Sequence, residues 1–533
     1  MNDPAHILTL PILIPLIVGA ALILIHERHH RLKYALNQFS SLVLLAVSIW
    51  LLMMTDGFGT ATGAPLAYLS ANWSAPFGIV LIGDRLSALM LVLTAVIANA
   101  ALLYSFSRWS QVGVHYHTLF QLLLMGINGA LLTGDLFNLF VFFEVMLAAS
   151  YGLLLHGYNI TRLRAGMQYI AINLVASFFF LIGIALVYAA TGTLTLADIA
   201  ANIASLGDDQ RLLMHTGAAV LAVAFLTKSA MWPLGFWLPT TYSAAAPPVT
   251  AMLVVLTKIG IYVILRLHLL FFGATAGASA GFGTQFLFIG GLVTMLYGII
   301  GLIASQEANR IASYSAIISS GTLLAIIGAN NPSLLSSALF YLVSSTLAVA
   351  AFALLSELIS RIYPTRNLVL AISIEAFEQD ETHDVSSGYV IPSAMAFLGL
   401  AFMASTLVIA GLPPLSGFIA KFGILHHLLD TNELSVLHWS LTALLILAGL
   451  GTIITMVRFG VRSFWVSHNE EPPKLKLTEA TPVAGIIGVC VAMVVFAGPL
   501  SDLLERVAAD AIDTPAYIDT VMELQPVVRG DTI

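Results

Sequence analysis

Apolar residues along this chain come in long unbroken runs, not at alternating positions. Fourteen runs stand at approximately residues 7–26, 36–54, 84–104, 117–134, 135–156, 165–190, 213–238, 246–271, 282–304, 311–329, 333–360, 392–428, 434–460 and 481–500. A helix needs roughly 20 mostly apolar residues to cross the hydrocarbon of a bilayer. Membrane β-strands would instead alternate over about ten residues. The pattern therefore predicts an all-α polytopic membrane protein with about 14 transmembrane helices. The first run is followed by further runs and reads as a helix, not as a cleaved signal. Between the runs, residues 56–83 are rich in Gly and Pro and alternate from Tyr68 to Val80, which predicts a small hairpin. Residues 194–206 read as a short interfacial helix, residues 364–390 as a polar acidic insertion, and the tail from Ser501 as an acidic amphipathic segment.

Two runs are interrupted by proline. The seventh holds Lys228-Ser229-Ala230-Met231-Trp232-Pro233-Leu234-Gly235-Phe236, and the twelfth holds Pro413-Pro414-Leu415-Ser416-Gly417-Phe418 followed by Lys421. Proline removes a backbone donor and frees a carbonyl. Inside a bilayer that is tolerated only where protein or water satisfies the backbone. Two such breaks at matching places in two halves predict an internal repeat with a site near the midplane.

Composition sharpens this picture. Only 9% of the 533 residues are charged and 59% are hydrophobic, against about 25% charged in ordinary globular domains. Soluble enzymes, nucleic-acid binders and disordered regulators are excluded. The lone Cys490 excludes a disulfide scaffold and any multi-cysteine metal or iron–sulfur site, and a net charge of −7 gives no basic field for nucleic acid. No GxxxxGK[ST] or HExxH motif occurs, so no cofactor is expected. With both termini outside, 13 Lys and Arg residues fall on inside segments and five (Arg85, Arg211, Arg266, Arg506, Arg529) on outside ones. The positive-inside bias therefore predicts termini on the outer face.

Three cations are left over, each inside a run: Lys228, Lys258 and Lys421. A lysine can meet the cost of burial by releasing its proton, whereas an arginine cannot. All three read as proton-exchanging groups, with snorkelling to the interface as the plainer reading. Glu144 is the one acid near the middle of a run, among Phe140, Phe142 and Phe143. It is expected to form a switchable pair with a lysine of another helix, or a static ion pair. Asp135 opens the fifth run and reads as an N-cap before a proton carrier. Glu357 reads equally as a proton port and as an interfacial charge. His426 and His427, beyond Lys421, are candidates for an exit relay or are interfacial. Hydroxyls such as Ser229, Thr257, Ser319, Ser320, Ser344, Ser345 and Ser416 could hold a water chain, although each also suits bonding to its own helix. His115 and His117 sit in an inside loop, where a metal site is not expected.

These residues resemble a family. Phe143-Glu144, Lys228-Ser229-Ala230 with Pro233 and Trp237-Leu238-Pro239, Lys258-Ile259-Gly260-Ile261-Tyr262, Asn309-Arg310-Ile311-Ala312-Ser313-Tyr314-Ser315 and Pro413-Pro414-Leu415-Ser416-Gly417-Phe418 with Lys421 look like the motifs of the antiporter-like subunits shared by respiratory complex I and the Mrp-type multisubunit Na+/H+ antiporters. The resemblance spans roughly residues 80–460. It implies two inverted five-helix repeats, each with one discontinuous helix, and a hydrated polar axis. The corresponding division is residues 1–110 for the N-terminal helices, 111–272 and 273–465 for the repeats, and 466–533 for the last helix and tail. Family members often carry histidine and lysine where Ser345 and Val349 stand here, which leaves water and hydroxyls to bridge Lys258 and Lys421. The function implied is proton translocation along Glu144, Lys228, Lys258 and Lys421 in a cation/proton antiporter of the cytoplasmic membrane. Its partners would be small membrane subunits, protons and monovalent cations. The rival is the same proton work inside a redox complex, complex I or a membrane hydrogenase; a non-transporting scaffold is argued against by the buried charges.

Overall fold

The computed structural model describes residues 4–57, 63–362, 392–430, 436–465 and 474–526, so the insertion expected at 364–390 lies outside the described residues. The N-terminal helices are α1 (Leu10–Leu24), α2 (His30–Thr55) and α3 (Arg85–Ser105). Next come α4 (Tyr116–Leu132), α5 (Leu136–Leu155), α6 (Ile160–Thr191), α7 (Leu196–Asn202), α8 (Asp208–Lys228), α9 (Leu238–Ala244) and α10 (Pro247–Phe272). They are followed by α11 (Thr284–Ala304), α12 (Ala308–Ala329), α13 (Leu335–Ser360), α14 (Ser393–Ala410), α15 (Ser416–Leu429) and α16 (Val436–Gly460). The last three are α17 (Leu477–Val495), α18 (Ala497–Ile512) and α19 (Thr514–Met522). Among the described residues, 13 helical stretches are long and apolar enough to cross a membrane. The remaining expected span is α4, an apolar helix of 17 residues.

Local chemistry sets the helix starts. Asp84 and Ser87 form a reciprocal capping box on α3, with Ser87 N donating to Asp84 Oδ1 at 2.9 Å and Asp84 N to Ser87 Oγ at 3.0 Å. Pro247 and Pro248 open α10, where a missing N–H leaves no bond unmade. The expected hairpin is present as β1 (Leu66–Leu69) paired antiparallel with β2 (Val80–Gly83), Leu66 facing Gly83. The short helix expected within 194–206 is α7. Leu136 N donates to Leu194 O at 2.9 Å and Thr195 Oγ1 to Pro76 O at 3.1 Å, which ties hairpin, α4–α5 turn and α6–α7 loop into one cap.

Both expected breaks are present, each in the fourth span of a run of five. In the first run (α4, α5, α6, α8, α10), residues 229–237 separate α8 from α9. In the second (α11, α12, α13, α14, α16), residues 411–415 separate α14 from α15. α10 lies at the centre of the bundle and is buried almost throughout.

The tail folds back over the Asp56 face. α18 buries Leu504, Val507, Ala508 and Ala511, and Arg506 reaches Asp56 at 2.8 Å while Arg85 bonds both Asp56 and Asp510. The Arg506 guanidinium holds the Asp56 carboxyl below its ordinary value of 3.8, against the opposing effect of burial. A carboxyl whose pKa falls on folding stabilises the docked tail above that ordinary value, and the gain is lost as pH drops through the lowered one. Tail docking, read by limited proteolysis, is thus expected to hold from neutral pH to about 4 and to loosen below it. In Asp56→Asn the tail is expected to be cut readily at all these values.

Arg85, counted with the outside segments, is buried at the start of α3, and two further charges depart from the sequence reading. Arg266, counted with the outside segments, lies within α10 at 8% exposure, and Lys33, counted with an inside loop, lies within α2 at 2% exposure. Buried cations are therefore not lysines alone. Each of these two has a carboxylate: Arg266 Nη2 donates to Asp84 Oδ1 at 2.7 Å and Lys33 Nζ to Glu27 Oε1 at 2.7 Å. An ion pair makes such burial tolerable.

Candidate functional site

The three lysines expected to carry protons differ from these paired cations: among the described residues, no carboxylate forms an ion pair with Lys228, Lys258 or Lys421. Lys228 ends α8 at the first break. Its Nζ is buried, has no hydrogen-bond partner among the described residues, and stands 5.3 Å from the centre of the Phe143 ring, within cation–π reach. Glu144, the next residue after Phe143, accepts instead from Ser177 Oγ on α6. The closed Glu144–Lys228 pair expected from the sequence is not formed in this arrangement. Phe143, Phe180 and Phe225 pack edge to face, with centres 4.7–5.9 Å apart, beside both groups. Ser177 was not singled out in the sequence; a lone serine in a long apolar run gives no sign of which neighbour it meets.

The backbone freed at each break is satisfied by a side chain. At the first, Trp237 Nε1 donates to Thr227 O at 3.2 Å and Trp232 N to Thr294 Oγ1 of α11 at 2.9 Å. At the second, Lys421 Nζ does this itself, donating to Ile409 O at 3.1 Å and Ala410 O at 2.8 Å. Gly411 occupies φ +78°, and a Cβ there would meet the Lys421 chain at 2.5 Å, so glycine lets the lysine fold back across the break.

Lys258, on α10, donates to Ser319 Oγ at 2.8 Å and Ser320 Oγ at 3.2 Å, both on α12. Ser319 is hydrogen-bonded in turn to Ser345 of α13 at 2.8 Å. A cavity lined by Ser315, Ser319, Ser344, Ser345, Thr452 and Lys421 follows, with about 20 Å3 open to the centre of a water. One water needs about 10–15 Å3 by that measure. A second cavity of about 20 Å3 touches Lys228, Asn173, Trp237, Tyr242 and Thr257, and Tyr242 and Thr257 share a hydrogen bond next to Lys258. The structure thus links Lys258 through Ser319 to Ser345, sets Ser345 and Lys421 on one water-sized cavity, and sets Lys228 with Tyr242 and Thr257 on another, while Glu144 bonds Ser177. Ser345 stands in the gap between Lys258 and Lys421 that water and hydroxyls were expected to bridge.

The secondary candidates separate. Asp135 caps α5, accepting from Asn138 N at 2.7 Å. Glu357 joins a network at the opposite face: it accepts from Tyr104 Oη and Trp109 Nε1, both at 2.9 Å, and pairs with Arg361 at 3.1 Å and Arg108 at 3.7 Å. Glu479 of α17, 2% exposed and absent from the sequence reading, shares Arg361 at 2.9 Å. His427 is hydrogen-bonded to Gly423 O at 2.9 Å and Ser337 Oγ at 3.2 Å. It borders a cavity with about 120 Å3 of water space that also touches Ser501 and Glu505. His426 is exposed and stacks on Phe422, away from that cavity.

Residues 133–448 match the family model described as NADH:quinone oxidoreductase/Mrp antiporter, transmembrane. Curated relatives include the D-type subunit of the probable K(+)/H(+) antiporter of Rhizobium meliloti, 50% identical over 97% of each chain. The D-type subunit of the Na(+)/H(+) antiporter of Alkalihalophilus pseudofirmus is 33% identical over 97% of this chain and 99% of its own. The fold resembles a chain of the Mrp complex from Dietzia sp. DQ12-45-1b (TM-score 0.82, 24% identity, 98% of this chain and 100% of that one). It also resembles one of an archaeal membrane-bound sulfane sulfur reductase (TM-score 0.81, 22% identity, 98% and 100%).

Proposed function

The chain belongs to the NADH:quinone oxidoreductase/Mrp antiporter family, and on that premise we propose that it is the proton-translocating, D-type subunit of a multisubunit monovalent cation/proton antiporter. It sits in a cytoplasmic membrane with both termini on the outer face and other membrane subunits as partners. Its two runs of five spans are inverted transport units, since an odd number of crossings makes the second run enter from the opposite side. The exchanged cation is monovalent; the relatives named above are described for K+ and for Na+.

In this reading Glu144 is the switch. Turned toward Lys228, it holds the lysine protonated. Turned toward Ser177, it leaves Lys228 free to pass its proton through the water space to Tyr242, Thr257 and Lys258. Lys258 hands the proton to Ser319 and Ser345, each hydroxyl accepting one proton and giving up another, and a water delivers it to Lys421. His427 and its cavity form the exit. One charge moved through 100 mV exchanges about 2.3 kcal/mol, which sets the scale of bias the membrane potential can apply to the switch.

The observation that carries the proposal is three lysines inside spans, Lys228 and Lys258 buried and Lys421 half-buried, none ion-paired to a carboxylate among the described residues and each beside hydroxyls or a water-sized cavity. The test is cation-dependent proton movement in everted vesicles holding the whole complex, with Glu144→Ala and Lys228→Ala. Exchange is expected to fall at least about a hundredfold in each, the scale on which positioned acid–base groups act. Wild-type exchange with the complex intact would sink the mechanism. The redox-coupled alternative shares the fold, and the proteins that copurify decide it: small hydrophobic subunits alone support the antiporter, and iron–sulfur proteins support the alternative.

A further inference from the structure

The lysine axis uses none of the polar side chains of the N-terminal helices. Yet α2 buries Lys33, Asn37, Ser40 and Ser41 on one side, an unusual stripe in so apolar a chain. The stripe continues onto α3 and α4. Asn37 Nδ2 meets His117 Nδ1 at 2.8 Å, Gln121 Nε2 donates to Asn37 Oδ1 at 2.6 Å, and Ser40 Oγ donates to Gln121 Oε1 at 3.3 Å. Gln38 Nε2 donates to Asn99 Oδ1 at 2.9 Å, and Asn99 Nδ2 to Ser41 O at 3.0 Å. One turn before Asn37 lies the Lys33–Glu27 pair, with His115 Nδ1 3.6 Å from the same carboxylate.

Four buried side chains on these three helices end in a polar atom with no hydrogen-bond partner among the described residues: Ser41 Oγ, Thr94 Oγ1, His117 Nε2 and Thr118 Oγ1. Each residue is at most 5% exposed, and they come from α2, α3 and α4. Leaving such groups dry is costly, and buried polar groups that lack a protein partner are ordinarily met by ordered water. Further along α2 the character changes. Leu44, Val47 and Leu51 are buried, and the hydroxyls of Ser48 and Thr55 are taken up by their own helix at 2.7 Å and 3.0 Å.

We propose that α2, α3 and α4 enclose a second water-filled pathway: a half-channel that opens at Glu27 and Lys33, ends at Ser41 and Thr94 against an apolar plug of Leu44 and Val47, and takes water and hydronium. From Lys33 to Ser41 its depth is about 12 Å at 1.5 Å per helical residue, less than half of a hydrocarbon layer of about 30 Å. His117 is its titratable wall residue. The half-channel is separate from the lysine axis and outside the region matched by the family model, which begins at residue 133. It rests on the membrane-spanning reading alone, so it stands or falls independently of antiport.

The single native cysteine, Cys490, is buried, which makes thiol labelling a clean test. In a Cys490→Ala background, Ser41→Cys, Thr118→Cys and the control Ser48→Cys are each placed in the full chain. A membrane-impermeant maleimide is then applied separately to right-side-out and everted vesicles. The reactive form is the thiolate, which needs water beside it, so Ser41→Cys and Thr118→Cys are expected to label at least about tenfold faster than Ser48→Cys. They are expected to do so only from the side that carries Glu27. Labelling as slow as the Ser48→Cys control, or equal from both sides, would overturn the proposal. If Ser41→Cys does not accumulate in the membrane, Thr118→Cys decides alone.

Discussion

Replacement of Lys258 by methionine is expected to abolish cation-dependent proton exchange while leaving the complex assembled. Methionine keeps the length and most of the volume of the side chain, so a helix as deeply buried as α10 is disturbed little. What it removes is the nitrogen that donates to Ser319 and Ser320. With no amine left to hold the proton between Lys228 and Lys421, the rate is expected to fall at least about a hundredfold. Lys258→Arg separates charge from proton transfer: arginine keeps the positive charge but does not give up its proton. It is expected to be as inactive as the methionine variant, by dequenching of a pH-sensitive dye in everted vesicles. Near-normal exchange in Lys258→Arg would mean that protons do not ride on this nitrogen. Ser319→Ala is expected to do less, because Ser320 remains beside the amine.

The second large effect is on the backbone. A Cβ added at Gly417 would lie 1.8 Å from Val408 O and 2.8 Å from Val408 C. Neither is the tip of a flexible side chain, so the last turn of α14 has to move. Overpacking typically costs about 1–3 kcal/mol, and a clash with main chain belongs at the upper end or beyond. The same turn presents the Ile409 and Ala410 carbonyls to Lys421. Gly417→Ala is therefore expected to lower both the thermal stability of the detergent-solubilised complex and its exchange rate. Gly399→Ala, in α14 with nothing within 4 Å of the added carbon, is expected to change neither. Equal stability of the two variants would show that the close approach at the break has no energetic weight.

Much of the fold was legible because a bilayer is an unforgiving solvent. Each span must satisfy its own backbone and stay apolar, and the fourteen runs follow from that alone. The two breaks were visible as prolines, and the role of Asp135 as the cap of a run. What the sequence did not reveal is pairing across the fold. Arg85 finds Asp510 at a separation of 425 residues, and Glu144 finds Ser177 instead of a lysine; nothing local encodes either choice. Arg266 was misplaced for a related reason. A cation near the end of an apolar run reads as interfacial until the partner, here Asp84 at the start of α3, is seen to bury it. Glu479 escaped notice because it is the first acid of a span, where a charge ordinarily faces water. Ser345 was marked as a departure from the family pattern and as one of many hydroxyls that could hold water, and its meeting with Ser319 became visible once α12 and α13 were side by side.

The way Lys421 closes the second break bears on how a proton can leave it. An ammonium group has three N–H bonds, and two of them are committed here, to Ile409 O and Ala410 O. A neutral amine has two N–H bonds and one lone pair. Both carbonyls can therefore stay satisfied whether or not the group is charged, and the third position, N–H in one form and lone pair in the other, is the one left for a water. Discharging Lys421 need not unravel the interrupted helix, so the backbone around it can remain stationary through every turnover.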